Sequence, residues 1–314
     1  YGPRANPLIK SADDELIESA RVSLGEWGLI HSVIVRAVPL YLLGETRAIT
    51  TWEELSAGIL GRAADPALRH LEVWINPYPN IFTHRHTAVL VQRRRIDWGT
   101  KLEGAGYVDP AVEIAGSPHQ QRFAAWAAYN LAPEIVGAVL ETNLLKLKLK
   151  GERIARADDV FDIGRANEIP AISGEYVFPE GDAVTAVDSY LRLLHANAGR
   201  HRPHPGWVSL RFVKGTSSRM SMFHGPGRFC TVELPLITGG TDSWKGQIEE
   251  SLASYQALCL ELGGRMHWAQ SWKLSDPELK EYLRAEYPEF KTWRGHQQRV
   301  GTATFDNSCL PEKL

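Results

Sequence analysis

Gly264-Arg265-Met266-His267-Trp268-Ala269-Gln270 puts a guanidinium, an imidazole, an indole and a carboxamide on one short segment beside a glycine pair. Side chains that leave a rigid helix stop are better held than those on a free loop, so this segment is a candidate for proton or ligand handling. On these residues alone His267 reads three ways: a general base, a neighbour of a bound cofactor, or a hydrogen-bonded core histidine. Ser209-Leu210-Arg211 is the second candidate, because a single arginine interrupts an apolar strand. Alternation places Ser209, Arg211 and Val213 on one face and Val208, Leu210 and Phe212 on the other. An unpaired buried guanidinium is costly, so Arg211 either closes an internal salt bridge or donates to substrate oxygens in a cleft.

Two histidine pairs, His84 with His86 and His201 with His204, could be read as metal ligands. An arginine intervenes in each and no acidic or cysteine ligand adjoins, so exposed loop or strand-edge histidines are expected and no metal is assigned. The chain has no GxSxG, no P-loop and no GxGxxG opening a helix; His224-Gly225-Pro226-Gly227 has the composition of a turn.

The elements that must position these residues occur in two similar sets. The first has an apolar strand from Ile30 to Val38, a strand near Tyr41–Thr50, a helix near Trp52–Leu60, and the alternating strand Leu71–Ile75. It closes with Thr87–Gln92, ended by the basic run Arg93-Arg94-Arg95. Residues 117–150 are helical, with Pro133 dividing two helices. The second set has a strand at Gly174–Phe178, a helix from Asp182, and strands at Val208–Val213 and Phe229–Leu236. Its last helix runs to Leu262, where Gly263-Gly264 stops it. Strand–helix–strand–strand thus occurs twice, which predicts an α+β fold with one large, mostly antiparallel sheet and helices on one face. The tail from Leu279 to Arg299 is helical, with a new turn at Pro288.

Composition narrows the function classes. With 314 residues, 44% of them hydrophobic, the chain has material for one large domain or two ordinary ones. A net charge of −2 argues against a nucleic-acid binder. No apolar run reaches the ~18 residues of a membrane span. Three scattered cysteines, Cys230, Cys259 and Cys309, form no disulfide framework and suggest a reducing, cytoplasmic compartment. The Tyr-Gly-Pro-Arg-Ala-Asn start reads as an interior piece of a longer chain.

Gly263-Gly264-Arg265-Met266-His267-Trp268-Ala269-Gln270 resembles the Gly-Gly-Arg-Pro-His-Trp-(Gly/Ala)-Lys motif of the aldonolactone oxidase family. That family, which includes arabinonolactone and gulonolactone oxidases and more loosely the alditol oxidases, belongs to the vanillyl-alcohol-oxidase flavoprotein superfamily. Further segments are similar in the same order: Ala20–Gly25 with Gly28–Ile30, Leu71–Pro77, the strand at Arg211, and Tyr287–Phe290 with Val300–Asn307. The resemblance implies the end of a PCMH-type FAD-binding domain at residues 1–40, a substrate (cap) domain at 41–270, and a closing segment at 271–314. It implies FAD as cofactor, held by Ser23, Gly25, Gly28, Ile30 and Asn307. His267, Arg211 and Gln270 would be catalytic, and Ser209, Trp268 and Glu72 would meet the substrate.

The implied reaction is oxidation of a CH–OH group of a sugar lactone, polyol or related alcohol, with oxygen or another electron acceptor reoxidising the flavin. A bulkier lipophilic alcohol, or a flavoprotein domain without catalysis, are the alternatives. Three positions depart from the family pattern: Gln270 stands for Lys, Ser209 for Glu and Met266 for Pro. The expected partner is an N-terminal FAD-binding polypeptide, either a separate chain or a removed segment.

Overall fold

A computed structural model describes residues 14–33, 37–97, 99, 117–130, 133–148, 151–161, 170–200, 202–238, 244–300 and 310. Among them an eight-stranded antiparallel sheet organises the chain, in the order β4-β1-β3-β2-β6-β7-β5-β8. The strands are β1 (Leu42–Thr51), β2 (His70–Ile75), β3 (Thr87–Ile96), β4 (Arg153–Arg156), β5 (Ala171–Pro179), β6 (Val208–Lys214), β7 (Arg228–Ile237) and β8 (Arg265–Met266). The two strand–helix–strand–strand sets read from the sequence are β1, β2, β3 and β5, β6, β7. Each folds with its third strand between the other two, and the halves meet where β2 pairs antiparallel with β6. The centre of the sheet is therefore a pseudo-twofold junction, and Glu72 and Arg211 face each other across it.

The helices are α1 (Asp14–Ala20), α2 (Trp52–Ser56), α3 (Ile59–Ala63), α4 (Pro118–Asn130), α5 (Pro133–Lys146), α6 (Ala157–Val160), α7 (Ala183–Ala198), α8 (Lys245–Glu261), α9 (Asp276–Glu286) and α10 (Phe290–Val300). One face of the sheet, carrying Val73, Leu90, Tyr176, Phe178, Leu210 and Val232, makes the main core with α2, α3 and α7 to α10. Alternation sends these side chains to one face, and α7 answers with Val187, Leu191 and Leu194 along a single stripe. On the opposite face α5 covers only one end, packing Val136, Leu140 and Leu144 on Trp74, Val89 and Val91.

Several expectations change. The helix at 52–60 is two short helices, since Gly58 interrupts it at the N-cap of α3. The strand β3 continues through Arg93-Arg94-Arg95 to Ile96 because these arginines pair in register with Glu45, Gly44 and Leu43 of β1, respectively. Ile30–Val38 is no strand in its described residues: Leu29, Ile30, Val33 and Val38 are exposed, and 34–36 lie outside the described residues. Among the described residues no strand pairs with this segment. His204, expected on an exposed loop, is fully buried. Its Nδ1 meets the Tyr255 hydroxyl at 3.1 Å and its Nε2 the Trp207 carbonyl at 3.2 Å. His86 instead bonds the exposed Glu53 carboxylate at 2.8 Å. Among the described residues, no three His, Cys, Asp or Glu side chains are placed to hold a metal, and no helix is long and apolar enough to cross a membrane.

The glycine pair after α8 is a Schellman stop. Gly264 N–H donates to the Cys259 carbonyl at 2.8 Å and Gly263 N–H to that of Leu260 at 3.1 Å, with Gly263 at φ +66. A Cβ on Gly264 would stand 2.8 Å from Cys259 Sγ and nearer still to the Phe178 ring. Gly264→Ala is expected to cost ~1–3 kcal/mol, read as a thermal midpoint lowered ~2–4 °C per kcal/mol; an unchanged midpoint would show that the backbone relaxes freely.

Burial brings the His204 imidazole down to about 4, so it folds neutral. The unfolded chain takes a proton there near pH 6.5, so stability is lost as pH falls from 6.5 towards 4, by ~3 kcal/mol from this group. In an NMR pH titration the ring should stay neutral at pH 5.5; protonation there would contradict the buried assignment.

Candidate active site on the polar face of the sheet

The sheet face that α5 leaves uncovered carries the charge. Register places Glu45 and Arg47 of β1, Arg93 of β3, Glu72 of β2, Ser209 and Arg211 of β6, Thr231 and Glu233 of β7, and Ser173 and Glu175 of β5 on this one face. Opposite charges meet across the strands. Glu45 bridges Arg47 at 2.6 Å and Arg93 at 2.7 Å, all three buried. Arg93 reaches Glu72 at 3.3 Å, and Glu72 lies 3.8 Å from Arg211 Nε. Arg211 Nη2 then pairs directly with Glu233 and lies 3.9 Å from Glu175. A buried charge is tolerable only when paired, and this ladder supplies a partner for each guanidinium.

Beneath the ladder the hydroxyls of Ser209 and Thr231 are buried without a hydrogen-bond partner. The ladder opens to solvent at one end: the Arg211 side chain is 40% exposed, whereas Glu72 and Glu175 are nearly buried.

The Schellman stop delivers the second group of residues to that open end. After Gly264, Arg265-Met266 adds an edge strand to β5, and His267 N–H donates to the Glu175 carbonyl at 3.0 Å. The tight turn that follows, with Gln270 N–H on the His267 carbonyl at 3.1 Å, folds the segment back over Glu175. His267 Nε2 comes within 4.0 Å of Glu175 Oε2, and Gln270 Nε2 within 3.4 Å of the same oxygen. The other amide atom of Gln270, Oε1, is buried and unpartnered.

Of the residues singled out in the sequence, the structure brings together His267, Arg211, Gln270, Glu72 and Ser209. Of the two sequence readings of Arg211, the structure shows the salt bridge, and the side chain stays 40% exposed. Trp268 is placed in packing: its indole lies on Tyr287 with centroids 5.0 Å apart, and Nε1 donates to the Met220 carbonyl at 2.7 Å. Ser23, Gly25, Gly28 and Ile30 belong to a different group. Leu24 (φ 50) and Gly25 (φ 81) make the centre of a turn closed by Glu26 N–H on Ser23 O at 3.0 Å, and Gly28 is left-handed at φ 111. This segment is fastened to α10 by the buried Glu26–Arg294 ion pair, by the Trp293 indole on the carbonyls of Ser19 and Val22, and by Ser19 Oγ on His296 at 2.8 Å. Asn307 lies outside the described residues.

Glu175 and Glu233 were missed in the sequence. The signal was present: each is a single charge inside an apolar strand, as Arg211 is. Glu233 is the cross-strand partner of Ser209.

A cavity of ≈ 1440 Å³ lies elsewhere, lined by Phe82, Phe123, Ile135 and His84 among others. Its carboxylate, Glu141, is spent on Thr87 at 2.6 Å, Asn76 at 3.2 Å and Asn80 at 3.3 Å, and its walls mix these apolar side chains with His119, His195 and Lys146.

No family model matches the chain, and no curated protein matches it. Solved structures do share its fold. A variant of cholesterol oxidase from Brevibacterium sterolicum matches with a TM-score of 0.54 at 14% identity, over 88% of this chain and 61% of its own. A solvent-stable cholesterol oxidase matches with a TM-score of 0.59 at 10% identity, over 86% and 59%. The chain thus spans about three fifths of the length of these two structures, and at such identities the likeness is one of fold.

If the ladder acts as a unit, Arg211 and Glu233 are coupled. Arg211→Ala leaves three carboxylates without their shared cation and should cost ~1–3 kcal/mol, with Arg211→Lys restoring only part. In urea unfolding the double variant Arg211→Ala/Glu233→Ala should lose less than the sum of the singles. Additive losses would mean that the pair is independent.

Proposed function

We propose that this chain is the substrate-side part of an FAD-dependent oxidoreductase that oxidises a CH–OH group, with a sugar lactone, polyol or related polar alcohol as donor. The observation that carries this reading is the convergence of Arg211, Glu233, Glu175, His267 and Gln270 at the open end of an otherwise fully paired ladder. The charged and hydrogen-bonding side chains there suit a donor rich in oxygen atoms.

The residues present fit a flavin ring laid against this face. The amide of Gln270 and the Arg211 guanidinium can meet its polar edge, and neither demands an apolar ligand. When bound, the flavin supplies the two-electron acceptor that takes hydride from the alcohol carbon. The chain's own side chains do the rest. Arg211 donates to the donor oxygen, Glu233 and Glu72 fix the guanidinium plane, and Gln270 orients the ring side of the site.

The turn at Leu24-Gly25 and the left-handed Gly28 bring backbone close to any group beside them, in keeping with a cofactor-facing role for Ser23, Gly25, Gly28 and Ile30. The exposed apolar side chains Leu29, Ile30, Val33 and Val38 are proposed to pack on the rest of a flavin-binding domain, whether on the same polypeptide or a separate one. Residues 1–40 then belong with that domain, 41–270 form the cap, and 271–314 return to the flavin side through α10.

A lipophilic donor is the second reading, since both structural neighbours are named for a sterol. The charged ladder weighs against it. The natively purified protein should carry flavin absorption that bleaches anaerobically with a polyol or sugar lactone and not with a sterol. Bleaching by the sterol alone would reverse the assignment, and a colourless protein that binds no added FAD would remove it.

A further inference from the structure

The neutral imidazole of His267 has no lone pair to offer a substrate. Its Nδ1 accepts a hydrogen bond from the Ala269 backbone N–H at 3.1 Å, so the ring proton sits on Nε2. That nitrogen faces Glu175 Oε2. Taking a proton at Nδ1 would break the turn that holds the ring in place. His267 is thus built to donate towards Glu175 rather than to act as a base.

The charges around Glu175 point the same way. Among the described residues, four carboxylates of the ladder, Glu45, Glu72, Glu175 and Glu233, lie against three guanidiniums, Arg47, Arg93 and Arg211. Glu45 takes Arg47 and Arg93, and Glu72 takes Arg93. Glu233 holds Arg211 directly and also accepts from Ser173 Oγ at 3.2 Å. Glu175 is the carboxylate left over, with Arg211 at 3.9 Å, His267 at 4.0 Å and the Gln270 amide at 3.4 Å. Directly across the strands stands Glu233, a like charge.

We propose that Glu175 is the catalytic proton acceptor of the site and that His267 is its positioning residue. The proposal rests on the alcohol-oxidising reading above. In the step, the C–H bond of the donor breaks with its electron pair leaving as hydride to the flavin oxidant. The O–H bond breaks with its proton going to a Glu175 oxygen, and the C–O bond becomes C=O. The alcohol is oxidised by two electrons, the flavin is reduced by two, and Glu175 leaves the step as a carboxylic acid that returns its proton to water.

Two measurements test this, one of them independent of turnover. In the full chain with ¹⁵N-labelled histidine, His267 should show the neutral Nε2–H tautomer, and Glu175→Gln should move its Nε2–H resonance. An Nδ1–H tautomer, or an unchanged Nε2–H resonance in Glu175→Gln, overturns the Glu175–His267 arrangement. In the flavin-loaded protein, anaerobic flavin reduction by the best alcohol should slow ~10²–10⁴-fold in Glu175→Gln, with loss of the low-pH limb of kcat/KM. Parental rates and an unchanged pH profile in that variant overturn the inference alone. A parent protein whose flavin no alcohol reduces overturns both the inference and the functional reading beneath it.

Discussion

Three arginines and four glutamates cross the sheet from Arg47 to Glu175, and the rest of the architecture is arranged around holding these charges against one another. An ion in this position is expensive to desolvate and is tolerated only with good geometry. The sheet provides that geometry through register, because neighbours such as Glu45 and Arg93, or Glu72 and Arg211, are fixed opposite each other by backbone hydrogen bonds. A one-residue slip of any strand would send its member of the ladder into the apolar core on the other face. The ladder and the core therefore specify each other: the same alternation that buries Val73, Leu210 and Val232 on one side aligns Glu72, Arg211 and Glu233 on the other.

The ladder's open end is where the proposed chemistry would take place. Three independent features meet there: the pseudo-twofold junction of β2 and β6, the Schellman stop of α8, and the short edge strand β8. The first sets Arg211, and the other two carry His267 and Gln270 over Glu175. Because each arises from backbone geometry rather than from loop packing, the site is pre-organised to a degree that side-chain contacts alone would not give. The buried tyrosines behind β5 support it from the core: Tyr176 stacks on Tyr190 at 5.4 Å, and the Tyr282 hydroxyl accepts the Met266 N–H at 2.8 Å.

Much of this was legible in the sequence because period-two alternation and glycine punctuation are local signals. The repeated strand–helix–strand–strand pattern foretold the antiparallel sheet, and Gly263-Gly264 foretold the stop that positions His267. What alternation could not convey was pairing across strands. Arg93-Arg94-Arg95 has the composition of a strand end and becomes strand interior because Glu45 faces Arg93. Glu175 and Glu233 remained invisible as site residues since their meaning depends on β5 and β7 being neighbours. His204 likewise follows an arginine and a proline in a loop-like stretch, yet Tyr255 and Trp207, distant and near in sequence, enclose it.

The central claim is that the polar face of the sheet, at Arg211 and Glu175, receives the donor oxygen of an alcohol opposite a flavin. A crystal structure of the flavin-loaded protein with a non-reacting analogue of its alcohol tests it most directly. The account predicts the analogue's oxygen within hydrogen-bond distance of both Arg211 and Glu175, with the ring system facing β6 and β7. An analogue seated instead in the cavity beside Phe82 and Phe123, or a ring bound away from this face, would contradict it.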